Sequence, residues 1–323
     1  NATAVNDAGL TFAASTVGGN LAATATTGNM TDSGALTITG TSSFTTSANN
    51  ATIALDTTTN AFTGAVTITT NDDSGTDADV TIDGGTTALI LAASTIDGDL
   101  TVRNGNSITD SGTLTVGGNL VATTDANNGV INMGTLAVDG TVALTTNGSG
   151  NATIDNGTLN LDLAASDIGG NLTATSGAAA GITDSGTVTV AGNLVATTDA
   201  NNGVIDLDQT AVTGTVALTT NGSGNATIDN GTLNLDLAAS DVGGNLTATS
   251  GAATGITDSG TLTVGGNLVA TTDANNGLIN LGTLAVDGTV ALTTNGSGNA
   301  TAVNDAGLTF AASTVGGNLA ATA

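Results

Sequence analysis

The chain repeats itself, and this limits what it can fold into more than any other feature. The tetrapeptide Thr-Asp-Ser-Gly recurs with its Asp at 32, 110, 184 and 258, so the last three copies are evenly spaced. Residues 112–185 and 186–259 differ at 10 of 74 positions. Residues 260–301 return residues 112–153 with two changes, Val130 to Leu278 and Met133 to Leu281. Self-similarity at a fixed period marks a stacked array, in which one unit cannot bury its own apolar face and relies on its neighbours.

Each of these units subdivides. Segments open at Gly112-Thr-Leu-Thr-Val, Gly134-Thr-Leu-Ala-Val and Gly157-Thr-Leu-Asn-Leu, and the third segment is the longest of the three. It reads as a longer coil carrying Leu-Ala-Ala-Ser-Asp-Ile (163–168) as an insertion, and residues 1–111 follow the same plan less regularly. Residues 1–25 are identical to residues 299–323, an offset of 298. That identity predicts one continuous array over 1–323 (irregular coils 1–111, units 112–185 and 186–259, a partial unit 260–323). It also suggests a window of a longer array with a 298-residue period; a bounded protein with matching ends is the other reading.

Inside a segment, polar and aliphatic residues alternate, as in Thr113-Leu114-Thr115-Val116 and Asn119-Leu120-Val121-Ala122-Thr123. A period of two, rich in Thr, Val, Ile and Leu, predicts short strands with one buried face. Asn, Asp and Gly at 117–118, 139–140, 147–150 and 156–157 supply the corners, where positive φ is tolerated. The expected fold is all-β: a parallel β-solenoid of about 12–13 coils, each of roughly 22–29 residues. Its core columns run through Leu114, Val116, Leu120, Ile131, Leu136, Val138, Val142, Leu144 and Ile154. Leu159, Leu161, Ile168, Leu172 and Ile182 continue them. Like residues then stack coil over coil, so side-chain amides are expected to bond along the pile. A row of small antiparallel sandwiches is the rival, and it would need linkers that the sequence lacks.

Composition fits that fold. The chain has 323 residues, 47 Gly, no Pro, Cys, His, Trp, Tyr or Lys, and Arg103 as its only cation beside 27 Asp. Catalysis by His, Cys or Lys and thiolate or imidazole metal sites are excluded. A net charge of -26 argues against nucleic acid as a partner. No apolar run reaches the roughly 20 residues of a spanning helix, so membrane insertion is not expected.

The run Gly244-Asn-Leu-Thr-Ala-Thr, continued by Gly255-Ile-Thr-Asp-Ser-Gly-Thr-Leu-Thr-Val-Gly-Gly-Asn-Leu268, resembles the repeats of large bacterial exoproteins of the filamentous-haemagglutinin type. The resemblance implies a right-handed parallel β-helix, secretion to the cell surface, and a role in adhesion, matrix or sheath.

Carboxylates are the only candidate chemistry. Asp72, Asp73, Asp77, Asp79 and Asp83 lie close together in the chain, a composition that suits Ca²⁺, but the EF-hand and β-roll spacings are missing. A solvated corner is the plainer reading, so no metal, cofactor-binding or catalytic residue is assigned and Ca²⁺ stands as the one weak cofactor candidate. Asp110, Asp184 and Asp258 read as turn formers bonding their own backbone, as do Asp125, Asp199 and Asp273 in Asp-Ala-Asn-Asn-Gly. Arg103 reads as an incidental surface residue. Sequons at Asn29, Asn50, Asn147, Asn151 and Asn171 arise readily in a chain so rich in Asn and Thr. The expected function is a stiff, non-catalytic, extracellular or cell-surface filament segment. Its expected partner is itself, by end-to-end continuation or lateral bundling, with host or matrix contacts in reserve. The alternative is the stalk of a secreted adhesin that displays a receptor-binding tip outside this chain.

Overall fold

The computed structural model describes residues 1–71 and 77–323; Asp72 and Asp73 of the acidic cluster lie outside the described residues. Among the described residues there are 42 strands and no helix. The chain divides into two units, Asn1–Gly157 and Thr158–Ala323. Each is a parallel β-solenoid, and together they hold about 15 turns.

In the first unit, Leu100–Asn104 stacks in register on Leu120–Thr124, which stacks on Thr141–Thr145. Between them Ile108–Asp110 stacks on Ile131–Met133, and Leu114–Val116 on Leu136–Val138. A regular coil is therefore one five-residue strand followed by two three-residue strands. The described ladders are parallel, which excludes hairpin-built sandwiches. Alternation does the sorting: Leu120, Ala122 and Thr124 point inward and are buried, whereas Val121 is 40% exposed. Every predicted core residue is buried except Leu159. Leu159 sits in the turn before the strand Leu161–Leu163, and its counterpart Leu233 is 37% exposed. Near the start of the first unit, where coils are less regular, Phe44 and Phe62 fill the interior edge to face, 5.9 Å between ring centroids.

The second unit shows how the long repeat fits the coil. Leu172 pairs with Leu194, Leu194 with Val216, and Val216 with Leu237, three full turns along one ladder. Leu246, the counterpart of Leu172 in the next repeat, does not join that ladder. It lies on the other, between Ala226 and Leu268. The repeat is thus three and a half turns, and equivalent residues of successive repeats alternate between the two ladders. From Leu172 to Val242 there are ten strands: three sets of long-short-short and one extra short strand. The extra strand arises because three short strands, Ala226–Asp229, Leu235–Leu237 and Ser240–Val242, follow the long strand Thr215–Thr219 where a regular set has two. Residues 163–168 are accordingly no insertion in a long coil. In each repeat they form the end of one short strand and all of the next, Leu161–Leu163 and Ser166–Ile168. This extra half turn raises the count from the expected 12–13 coils to about 15.

At the half-turn step, unlike strands stack. The long strand Thr215–Thr219 is followed by the two short strands Leu235–Leu237 and Ser240–Val242, and the short strand Ala226–Asp229 by the long strand Leu246–Ser250. Such stacking leaves ladder groups that no strand can reach, and polar side chains take them.

Candidate functional site: polar ladders between coils

Three kinds of side chain close the gaps between coils. The first is a buried Asn at each half-turn step. The Asn230 side chain is fully buried and lies under Val212, accepting its N–H at Oδ1 (2.7 Å) and donating from Nδ2 to its carbonyl (2.9 Å). A carboxamide presents one donor and one acceptor as a peptide does, so Asn230 acts as a one-residue strand. Asn156 does the same for Val138 at 2.8 and 2.9 Å, and Asn304 for Val286 at 2.9 and 3.2 Å. Ser240 completes the step: its hydroxyl accepts the Leu218 N–H (3.1 Å) and donates to the Ala238 carbonyl (2.9 Å). The sequence reading missed both, taking Asn156 and Gly157 as an ordinary turn.

The second kind is the Asp of Thr-Asp-Ser-Gly, whose role needs correction. These residues do not bond their own turn; they clip the next coil. Asp258 accepts the Gly282 N–H (2.8 Å), the Thr283 N–H (2.7 Å) and the Thr283 hydroxyl (2.9 Å). Asp110 makes the same set with Gly134 and Thr135, and Asp32 accepts from Thr57 and Asn60. The next coil wins because its corner presents two consecutive N–H groups to one carboxylate, and such charge-assisted bonds are about twice as strong as neutral ones. Replacing Asp258 with Ala is expected to cost about 1–3 kcal/mol. Hydrogen exchange should report it as faster exchange at Gly282 and Thr283; unchanged rates would show that water replaces the carboxylate without loss.

Asp184 is the odd member. Where Gly282 and Thr283 stand in one repeat, Asp208 and Gln209 stand in this one, and their N–H groups reach Asp184 at 3.1 and 2.9 Å. Burial pushes the Asp184 carboxyl above the ordinary Asp value of 3.8; the two N–H bonds oppose this, and the carboxylates of Asp208 and Asp206 add to it. Asp83 is also raised, first by burial, although the Gly85 N–H bonds it at 2.7 Å and Arg103 lies near. A raised folded-state pKa means the native chain holds the proton more tightly than the unfolded one. The stability from Asp83 and Asp184 is therefore complete below 3.8 and is lost as pH rises through the elevated values. The melting temperature is expected to gain from these two groups as pH is lowered toward 3.8, and to gain less in the variant Asp208→Gly. A carboxylate NMR titration of Asp184 in that variant should show its midpoint moving down; an unmoved midpoint would contradict the assignment.

The third kind is an Asn or Asp placed just before a strand, as Asn245 and Asn267 are before long strands and Asn225 is before the short strand Ala226–Asp229. In the second unit Asn225 accepts the Asn245 N–H (2.7 Å), Asn245 the Asn267 N–H (2.8 Å), and Asn267 the Thr289 N–H (2.8 Å). Asp79 and Asp99 continue the same device in the first unit, ending at Asn119 and Thr141. The expected stacking of side-chain amides is met at Asn71, whose Nδ2 donates to Asn49 Oδ1 (2.6 Å); in these ladders the bond runs from side chain to backbone, because each Oδ1 faces the N–H one coil on.

Of the remaining predicted residues, Asp83 does bond its own turn, through Gly85. In Asp-Ala-Asn-Asn-Gly the turn is made by the Asn pair: Asn127 and Asn128 take φ of 57° and 52°, and Asn201, Asn202, Asn275 and Asn276 match them. The loop is closed from inside by the last Thr of the long strand, as Thr124 donates to the Gly129 carbonyl and Thr198 to that of Gly203, both at 2.8 Å. Asp125 pairs with Arg103 at 2.9 Å, both half exposed, a surface bridge worth little. Among the described residues no three His, Cys, Asp or Glu side chains gather so as to hold a metal ion. Among them, too, no helix is long and apolar enough to cross a membrane.

Parallel coils, like-on-like ladders and polar side chains spent between turns define a β-solenoid repeat protein. The family described as "Repeats of unknown function (DUF5649)" matches residues 1–69, 77–131, 149–219 and 223–276, and the chain belongs to it. Neither a curated protein nor a solved structure matches the chain.

Proposed function

We propose that the chain is a segment of a stiff, non-catalytic extracellular filament or surface fibre. One observation carries this reading: the recurring Asp and Asn side chains are committed to backbone groups of the neighbouring turn. Asp32, Asp110, Asp184 and Asp258, the Asn ladders and the buried Asn230 and Asn304 all hold one turn to the next. The repetitive, acidic surface suits this role, since like charge keeps filaments apart in solution. The phrase-level resemblance to filamentous-haemagglutinin-like exoproteins supports placing it at a cell surface. The inter-coil ladder within each unit resists bending, and a chain with one Arg and no Lys offers trypsin one site. Electron microscopy with fibre diffraction tests the proposal. Straight, unbranched particles with an axial spacing of about 4.8 Å are expected; compact globules, or turnover of a polysaccharide by the purified chain, would overturn it.

A further inference from the structure

Nine Asn-Gly steps occur in the chain, at Asn104, Asn128, Asn147, Asn156, Asn202, Asn221, Asn230, Asn276 and Asn295. Such steps are where a chain modifies itself. The glycine nitrogen attacks the Asn Cγ, ammonia leaves with the side-chain nitrogen, and a five-membered imide closes. Water then opens the ring at either carbonyl, leaving Asp or isoaspartate. Overall, one amide and one water become one carboxylic acid and one ammonia, with no other reactant. The nucleophile is a backbone N–H, so its hydrogen bonding decides whether the reaction starts.

Six of the nine steps hold that N–H. Gly129, Gly203 and Gly277 donate it to Ala126, Ala200 and Ala274, each at 3.0 Å. Gly105 donates to Gly85 at 2.6 Å. Gly157 and Gly231 donate to Asp155 and Asp229, each at 2.8 Å, and the Asn before each is itself buried. The other three steps belong to the turn Asn-Gly-Ser-Gly after a long strand. There Asn147-Gly148, Asn221-Gly222 and Asn295-Gly296 are exposed. Among the described residues no hydrogen bond engages the N–H of Gly148, Gly222 or Gly296.

We propose that Asn147, Asn221 and Asn295 are built-in deamidation sites, and that the fold protects the other six. Each conversion places a new carboxylate on an exposed corner of a chain already at -26. It also acts between coils, because Asn221 Oδ1 accepts the Asn202 N–H and Asn295 Oδ1 the Asn276 N–H, both at 3.3 Å. The surface charge of an old molecule therefore differs from that of a new one at three fixed places, at the spacing of the repeat.

The test is ageing of the purified full chain at mildly alkaline pH, folded and in denaturant. Peptide mapping with a non-tryptic protease follows, on peptides long enough to include Met133, Gln209 or Val303 and so tell the repeats apart. In the folded chain, conversion at the three sites should run ~5–10-fold ahead of Asn128, Asn202 and Asn276, the ratio expected for releasing one backbone hydrogen bond. It should run further ahead of Asn156 and Asn230. In denaturant the nine rates should converge. Equal rates in the folded chain, or a preference that persists in denaturant, would overturn the proposal.

Discussion

Replacing Asn230 with Ala should unfold part of the second unit. The substitution removes the acceptor for the Val212 N–H and the donors to the carbonyls of Val212 and Asn234. Val212 and Asn230 are both fully buried, so water cannot take over without opening the coil. A buried group left unsatisfied costs about 1–3 kcal/mol, and two or three such groups bring the expected loss to roughly 3–6 kcal/mol. Asn230→Asp is a sharper probe. It keeps the shape and the acceptor but loses the donor, and it adds a carboxylate where burial penalises charge. In a stacked array each turn is held by its neighbours, so the damage should stay local. Hydrogen exchange should show lost protection at Thr210–Val212 and Leu235–Leu237, with Leu268–Thr272 intact. If Asn230→Ala melts and exchanges like the parent, the side chain is not acting as a strand.

The half-turn step that Asn230 closes is not legible in the sequence, though much else is. Alternation identifies the inward residues because a strand has two faces and only one can be dry; Leu114, Val116 and Leu120 need nothing more. Leu159 escapes the pattern because it lies in a turn, where period two has no meaning. Segmenting the repeat at each Gly-Thr-Leu sets two adjacent short strands inside one long segment, hiding the extra half turn. Asp-Asn-Gly has the same local signature whether its Asn lies in a solvated corner or under a strand of the previous coil. One clue is present: at 304–305 the Gly has become Asp while the Asn remains, which a turn-forming Asn-Gly pair would not require. The Asp of Thr-Asp-Ser-Gly shows the same limit. Its chemistry is evident, but its partners lie one full coil further along the chain, a separation set by the stacking and not by local sequence.

Close approach between coils gives the other large expected effect, at Gly255. This residue has φ +64°, its carbonyl accepts the Leu235 N–H, and the next residue, Ile256, donates to the Leu278 carbonyl. A Cβ on Gly255 would fall on that same Leu278 oxygen, and one on Gly181 would meet Val204 in the same way. Ala at 255 therefore carries about 1–2 kcal/mol for a left-handed backbone on a residue with a side chain. Displacing a carbonyl already committed to the ladder adds to this, so the total should reach about 2–4 kcal/mol. Val, which is bulkier and β-branched, should cost more still. The repeat supplies its own control. At Gly282 the nearest atom to an added Cβ is Asp258 Oδ1 at 3.8 Å, an ordinary contact, and the equivalent position in the preceding repeat is Asp208. Gly282→Ala should leave the melting temperature nearly unchanged while Gly255→Ala lowers it and frees the Ile256 amide to exchange. Equal effects at the two positions would mean that neighbouring turns are not packed as closely as these contacts require.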